Sequence, residues 1–129
     1  MNIIKKIISD QRYRQKEAVS PEEFLDAMTA DFGRALDTES QLFFRHHSIT
    51  VNLINKIFSG RLKKSGDQTK DEFVVQAIMT EMSEYIPNAS AFISNSRNSM
   101  ADVVQEFSKT YKDAGNIIGQ ALVTFLKLK

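Results

Sequence analysis

Residues 42–62 have the sequence LFFRHHSITVNLINKIFSGRL, in which ten side chains are apolar. The apolar residues recur at helical spacing both before and after residues 49–53, which favours a helix that is buried on several faces. The alternation of Ile49, Val51 and Leu53 with polar residues is also typical of a short β-strand. No turn residues bound that alternation, so we expect one central helix that ends at Gly60 in the left-handed conformation.

Capping sequences predict where other helices begin. Residues 20–23, SPEE, combine a serine cap, a proline at the first helical position and a glutamate three residues after the cap. Residues 69–72, TKDE, repeat the cap spacing and predict a helix that stops near Pro87. The pair Asp37-Thr38 is a third candidate cap, directly before the central helix.

From Met100 onward, apolar residues alternate steps of four and three positions over four heptads. This spacing predicts a long C-terminal helix whose seam packs along another helix, either within a bundle or across a dimer. Gly115 and Gly119 either permit close helix approach or place a break near residues 113–116. The residues expected at a helix–helix interface are Met100, Val104, Phe107, Tyr111, Ile118 and Phe125.

Two further segments, residues 1–16 and residues 63–68, complete the predicted organisation. Residues 1–16 carry four isoleucines on one helical face, which predicts an amphipathic N-terminal helix docked on the core. Two lysines beside that stripe support the alternative of an arm that binds a partner or lies at a membrane interface. Residues 63–68 are expected to form an exposed basic loop. We therefore predict one all-α domain over residues 1–129, a helical bundle of four to five helices.

Composition narrows the class of protein. The chain has 129 residues, 42% hydrophobic and 26% charged, which is ordinary for a globular domain. It has no cysteine, which excludes disulfides, thiolate metal sites and a thiol nucleophile and favours a reducing compartment. No run of 18 apolar residues is present, so we expect no transmembrane segment and a cytoplasmic location.

The net charge is only +1, but the charges are segregated along the chain. Residues 1–16 are basic, residues 17–39 are acidic, and residues 40–66 contain five basic and no acidic side chains. The basic segments can pair with the acidic segment when their helices pack within the fold, or they can bind an anionic partner. Candidate contacts for an anion or a nucleic acid are Arg45, Lys56, Arg61, Lys63 and Lys64.

Residues that could carry catalysis are sparse. His46 and His47 are adjacent, so on a helix they point about 100 degrees apart and cannot hold one metal together. The GxSxG, GxGxxG and GxxxxGK[ST] patterns are absent from the sequence. We therefore expect no enzyme activity, no catalytic residues, no metal and no cofactor.

The sequence favours a small protein–protein interaction module of the adaptor, chaperone or inhibitor type. Its partner would be another protein or a second copy of itself, joined through the C-terminal seam in a homo-oligomer. The alternative function is a nucleic-acid-binding module that uses the basic residues 1–16 and 45–64. Size and charge segregation are also compatible with a bacterial or phage accessory protein.

Overall fold

The computed structural model describes residues 18–89, 91 and 100–127 of the chain. Within these ranges the chain forms six α-helices and no β-strand, which confirms the predicted all-α class and exceeds the four to five helices predicted. The predicted helix of residues 1–16 lies outside the described residues. The helices are α1 (Pro21–Phe32), α2 (Thr38–His46), α3 (Ser48–Phe58), α4 (Gln68–Ser83), α5 (Met100–Ser108) and α6 (Lys112–Lys127).

The start of α1 has the predicted capping box. The Ser20 hydroxyl accepts a hydrogen bond from the backbone N–H of Glu23 (3.1 Å), and the Glu23 carboxylate accepts one from the backbone N–H of Ser20 (3.4 Å). Gly33 ends the helix with φ of 72°, where a side chain would be strained. The predicted start of this helix is confirmed.

The predicted central helix of residues 42–62 is wrong in its continuity. The chain leaves the helical conformation at His47 (φ −131°, ψ 66°), so α2 and α3 are separate helices. The strand alternative is not adopted either, because residues 49–53 are helical, with Val51 buried and Ile49 exposed. The predicted role of Gly60 is confirmed by its φ of 79° just beyond α3.

The break at His47 is held by a side chain from α4. One carboxylate oxygen of Glu81 accepts hydrogen bonds from the backbone N–H of Thr50 (2.9 Å) and from the Thr50 hydroxyl. The other oxygen lies 2.5 Å from Nδ1 of His47. Glu81 therefore caps the first turn of α3, which has no side-chain cap of its own.

Helix α4 begins two residues earlier than predicted. The side chain of Asp67 accepts hydrogen bonds from the backbone N–H groups of Thr69 (3.0 Å) and Lys70 (3.4 Å), so Asp67 rather than Thr69 is the cap. Aspartate competes well with threonine at this position. The helix was predicted to continue through Tyr85 to a stop near Pro87, and it ends two residues earlier, at Ser83.

The predicted long C-terminal helix is also wrong in its continuity. Residues 109–111 form a turn, so α5 and α6 are two helices that pack against each other. The break precedes both glycines, and α6 is continuous through Gly115 and Gly119. A Cβ atom on Gly115 would lie 2.9 Å from Cα of Ser108, so the glycine permits a close approach of the two helices.

Two aspartates join the start of α6 to the start of α2. The Asp113 carboxylate accepts a hydrogen bond from the backbone N–H of Asp37 (2.8 Å), and the Asp37 carboxylate accepts one from the backbone N–H of Asp113 (2.9 Å). The Ser40 hydroxyl accepts a hydrogen bond from the N–H of Ala114 (2.8 Å). Arg34 donates two hydrogen bonds to Asp113 (3.0 and 2.9 Å). We call Arg34, Asp37, Ser40 and Asp113 the reciprocal cap.

Helix α6 is central to the packing. It packs against α2, α3 and α5, while α4 packs against α3 and α5, and α1 packs against α2 and α3. Burial of apolar side chains between these helices is the main source of stability. No helix in the described part of the chain is long and apolar enough to cross a membrane. The large side chains that are fully buried are Phe24, Met28, Phe43, Phe44, Ile54, Ile57, Phe58, Ile78, Met82, Phe107 and Phe125.

Candidate protein interface

The predicted anion contacts lie in two places. Arg45 is on α2, where its side chain makes an ion pair with Glu22 of α1 (2.8 Å). Lys56 is near the end of α3, and the other three residues, Arg61, Lys63 and Lys64, are exposed between α3 and α4. The basic residues 1–16 lie outside the described residues, so their position relative to these side chains stays a prediction.

The basic loop between α3 and α4 has an acidic neighbour. The Asp71 carboxylate accepts hydrogen bonds from the backbone N–H (2.8 Å) and the hydroxyl (3.1 Å) of Ser65. The hydrogen bond from the Ser65 N–H lowers the pKa of Asp71, and the nearby positive charge of Lys64 lowers it further. Asp71 therefore offsets part of the positive charge of this loop.

The predicted seam residues lie between helices of the same chain. Phe107, Ile118 and Phe125 are buried in the core, and Met100, Val104 and Tyr111 pack against it while remaining partly exposed. The chain folds back at residues 109–111, so the two halves of the seam are on different helices. Self-association through the seam stays a prediction, and only its partly exposed members reach the surface of this fold.

An open groove runs between α5 and α6, with a volume of about 590 Å³. All of its lining side chains are uncharged, and small residues from both helices are among them. Val123 on α6 is 47% exposed at this groove. The lining residues are Met100, Ala101, Val104, Gln105, Ser108, Gly115, Asn116, Gly119, Gln120, Leu122 and Val123.

A second groove of about 720 Å³ adjoins the first and shares Met100 with it. Val75 of α4 and Leu126 of α6 contribute apolar surface, and Leu126 is 38% exposed. Its remaining lining includes the charged residues Lys64, Asp71 and Glu72. The two grooves thus form a surface with an uncharged section between α5 and α6 and a charged section beside α4.

Sequence reasoning missed the groove because it depends on the fold-back of the C-terminal segment. In one continuous helix, Val104 and Gly119 would be far apart along the axis. In the structure, a Cβ atom on Gly119 would lie 3.3 Å from Cγ1 of Val104. The spacing of Gly115 and Gly119 was the one signal in the sequence that pointed to this groove. The two glycines allow α5 and α6 to approach closely, as they do in the structure.

Sequence reasoning also missed a polar cluster around His47, whose side chain is 8% exposed. His47 Nε2 lies 2.7 Å from the Tyr85 hydroxyl, and its Nδ1 lies beside Glu81. Burial raises the pKa of Tyr85, as do the negative charges of Glu84 and Glu81. The His47 ring stacks on Phe43 with ring centroids 4.4 Å apart. These side chains line neither groove, so we assign them to the packing of α2, α3 and α4.

Among the described residues, no three histidine, aspartate or glutamate side chains are arranged to hold a metal ion. The chain matches no protein family, no curated protein and no solved structure.

Proposed function

We propose that this protein is a protein–protein interaction module whose partner places the apolar face of a helix in the α5–α6 groove. The single observation that carries the proposal is the uncharged lining of an open groove between two helices. Two antiparallel helices leave a channel between their side-chain ridges, and a third helix fits there by the usual rules of helix packing. Helix recognition of this kind requires apolar residues at every third or fourth position of the partner.

The exposure of Val123 and Leu126 supports this interpretation. Val123 lines the α5–α6 groove, and Leu126 lines the groove that adjoins it. Single exposed apolar residues are normal on protein surfaces, whereas neighbouring apolar residues that border grooves are a feature of binding sites. Both side chains are on the same helix and three residues apart, so they lie on one face of α6. A partner helix that runs from the α5–α6 groove into the second groove would remove both from water.

The lining also sets the chemistry of the partner. A charged side chain placed against uncharged walls would lose hydration without gaining an ion pair, which is costly. Charged residues of the partner are therefore expected only where its helix passes Lys64, Asp71 and Glu72 in the second groove. Non-enzymatic function and a cytoplasmic location are part of the proposal and rest on the sequence alone.

The test is capture of partners from native lysate with wild type and two matched variants. Val123→Asp places a charge in the groove, whereas Leu42→Asp places one at a similarly exposed residue of α2 that lines neither groove. We expect the same proteins to bind wild type and Leu42→Asp, with or without nuclease, and to be lost with Val123→Asp. Circular dichroism of each variant checks that the fold is retained.

Two results would overturn the proposal. If Val123→Asp captures the same proteins as wild type, the groove is not the binding surface. If nuclease removes the captured proteins, the nucleic-acid alternative takes precedence. That alternative further requires that replacement of Arg61, Lys63 and Lys64 by glutamine weakens binding to unrelated DNA or RNA sequences and reduces its salt dependence.

A further inference from the structure

We propose that the break at His47 is a hinge through which the chain exchanges the segment before it with a second copy of itself. In the exchanged dimer, α2 and α3 of each chain would be one straight helix. Helices α1 and α2 would then pack on α3 and α6 of the other copy. The proposal rests on the break, and is independent of the α5–α6 groove.

The sequence contains no helix breaker at the hinge. Residues 38–58 contain neither glycine nor proline. The break consists of the single residue His47, the only residue between α2 and α3. A helix over residues 38–58 would be about 31 Å long and would form the backbone hydrogen bonds that are lost at the break. The local sequence therefore favours the straight form.

The break is held by side chains from outside residues 38–58. Glu81 of α4 supplies the acceptors for Thr50 at the start of α3 and for the His47 ring. Tyr85, in the turn just after α4, adds a hydrogen bond to the other ring nitrogen of His47. If these contacts open, the residues of the hinge have no local reason to stay bent.

The contacts made by α1 and α2 can be restored with a second copy of the chain. α2 packs on α6, where the reciprocal cap joins Asp37 to Asp113, and the N–H of Val19 donates to the Asn52 side chain on α3 (2.8 Å). Both contacts form equally well between chains, as in any exchange of an identical element. The balance between monomer and dimer then depends on the hinge and on protein concentration.

The test uses refolding of the full chain from denaturant at millimolar concentration, followed by size-exclusion chromatography with light scattering. We expect wild type to form a minor dimer that converts to monomer slowly. Glu81→Ala removes the outside cap and should raise the dimer-to-monomer ratio at least tenfold, which corresponds to about 1.4 kcal/mol or more. Glu81→Gln keeps an acceptor oxygen and should give a smaller increase.

Ser48→Pro is the decisive control. Proline is tolerated at the first position of α3 but cannot occupy the interior of a straight helix over residues 38–58. His47 already has the non-helical backbone that a residue before proline requires. The variant should therefore be folded and monomeric, both alone and combined with Glu81→Ala. Val123→Asp, which alters only the groove, should leave the dimer unchanged.

The proposal is overturned if wild type forms no dimer, if Ser48→Pro forms as much dimer as wild type, or if Val123→Asp abolishes the dimer. A Glu81→Ala protein that is folded but no more dimeric than wild type also overturns it. If Glu81→Ala does not fold, the comparison of wild type with Ser48→Pro decides the outcome.

Discussion

Two of the predicted helices are each broken into two. The central helix is broken at His47, between α2 and α3, and the C-terminal helix is broken at residues 109–111, between α5 and α6. Neither break contains glycine or proline. At both, a carboxylate from far along the chain accepts hydrogen bonds at the start of the following helix. Glu81 does so for Thr50, 31 residues away, and Asp37 does so for Asp113, 76 residues away. Long-range capping therefore ends these helices where local preference would continue them.

The two breaks differ in how their polar groups are arranged. At His47 the carboxylate faces an imidazole among aromatic rings, and the cap acts in one direction, from α4 to α3. At the start of α6 the capping is mutual, and Arg34, whose side chain is 58% exposed, adds a charge from the solvent side. We therefore expect the first break to depend on the acceptor oxygens of Glu81, and the second to depend on the ionisation of Asp113.

The largest expected effect comes from the ring that lies between the two breaks. Phe107 is 4.9 Å from the ring of Phe43, which stacks on His47, and 4.8 Å from the ring of Tyr111 in the second break. Phe107→Ala should lower the free energy of unfolding by about 3–5 kcal/mol, measured by chemical denaturation. Phe73→Ala, at a residue that is 74% exposed, is the control and should change it by less than about 0.5 kcal/mol. Equal effects would show that the two breaks do not share a core.

The next effect separates the one-sided cap from the mutual one. Glu81→Ala leaves the Thr50 N–H and hydroxyl and the His47 ring without their acceptor, which should cost about 2–3 kcal/mol of stability. Glu81→Gln retains one carbonyl oxygen and should cost less. Thermal melts of wild type and both variants at neutral pH measure these differences. If both variants melt at the same temperature as wild type, the Glu81 carboxylate is not the cap.

Gly115 tests the close approach beside the second break. Its substitution by alanine would place Cβ 2.7 Å from Cβ of Ser108 and 2.9 Å from Cα of that residue, so the backbone must shift. Gly115→Ala should destabilise the protein by about 1–3 kcal/mol. Gly119→Ala, where the nearest side-chain atom would be 3.3 Å away, should be nearly neutral because the helical preference of alanine offsets the contact. A stabilising Gly115→Ala would contradict the described packing.

The smallest expected effect is the pH dependence of the mutual cap. Hydrogen bonding to Arg34 lowers the pKa of Asp113 in the folded chain. A carboxyl group with a lowered folded pKa contributes stability above its unfolded value, about 4, and loses it as the pH falls through the folded value. The free energy of unfolding of wild type should therefore decline more steeply below that pH than that of Asp113→Asn. Parallel pH profiles would show that the pKa of Asp113 is not lowered in the folded protein.

The sequence predicts those features whose causes lie within a few residues. The capping box of Ser20 and Glu23 and the left-handed turn at Gly60 need only neighbouring atoms, and both are confirmed. The cap at Asp67 was missed because the threonine pattern two residues later is also a valid start. Glu81 and Asp37 could not be assigned as caps for distant helices, since nothing in their own surroundings marks the residues they contact. The groove was missed for the same reason, because it exists only after the fold-back.

The reciprocal cap has a consequence for hydrogen exchange. Amide protons in the first turn of a helix usually bond to water and exchange early. Here the N–H groups of Asp37, Ser40, Asp113 and Ala114 bond to side chains of the cap. The exchange of Asp37 and Asp113 requires that two segments 76 residues apart separate, so these amides should be protected to nearly the same extent as the core.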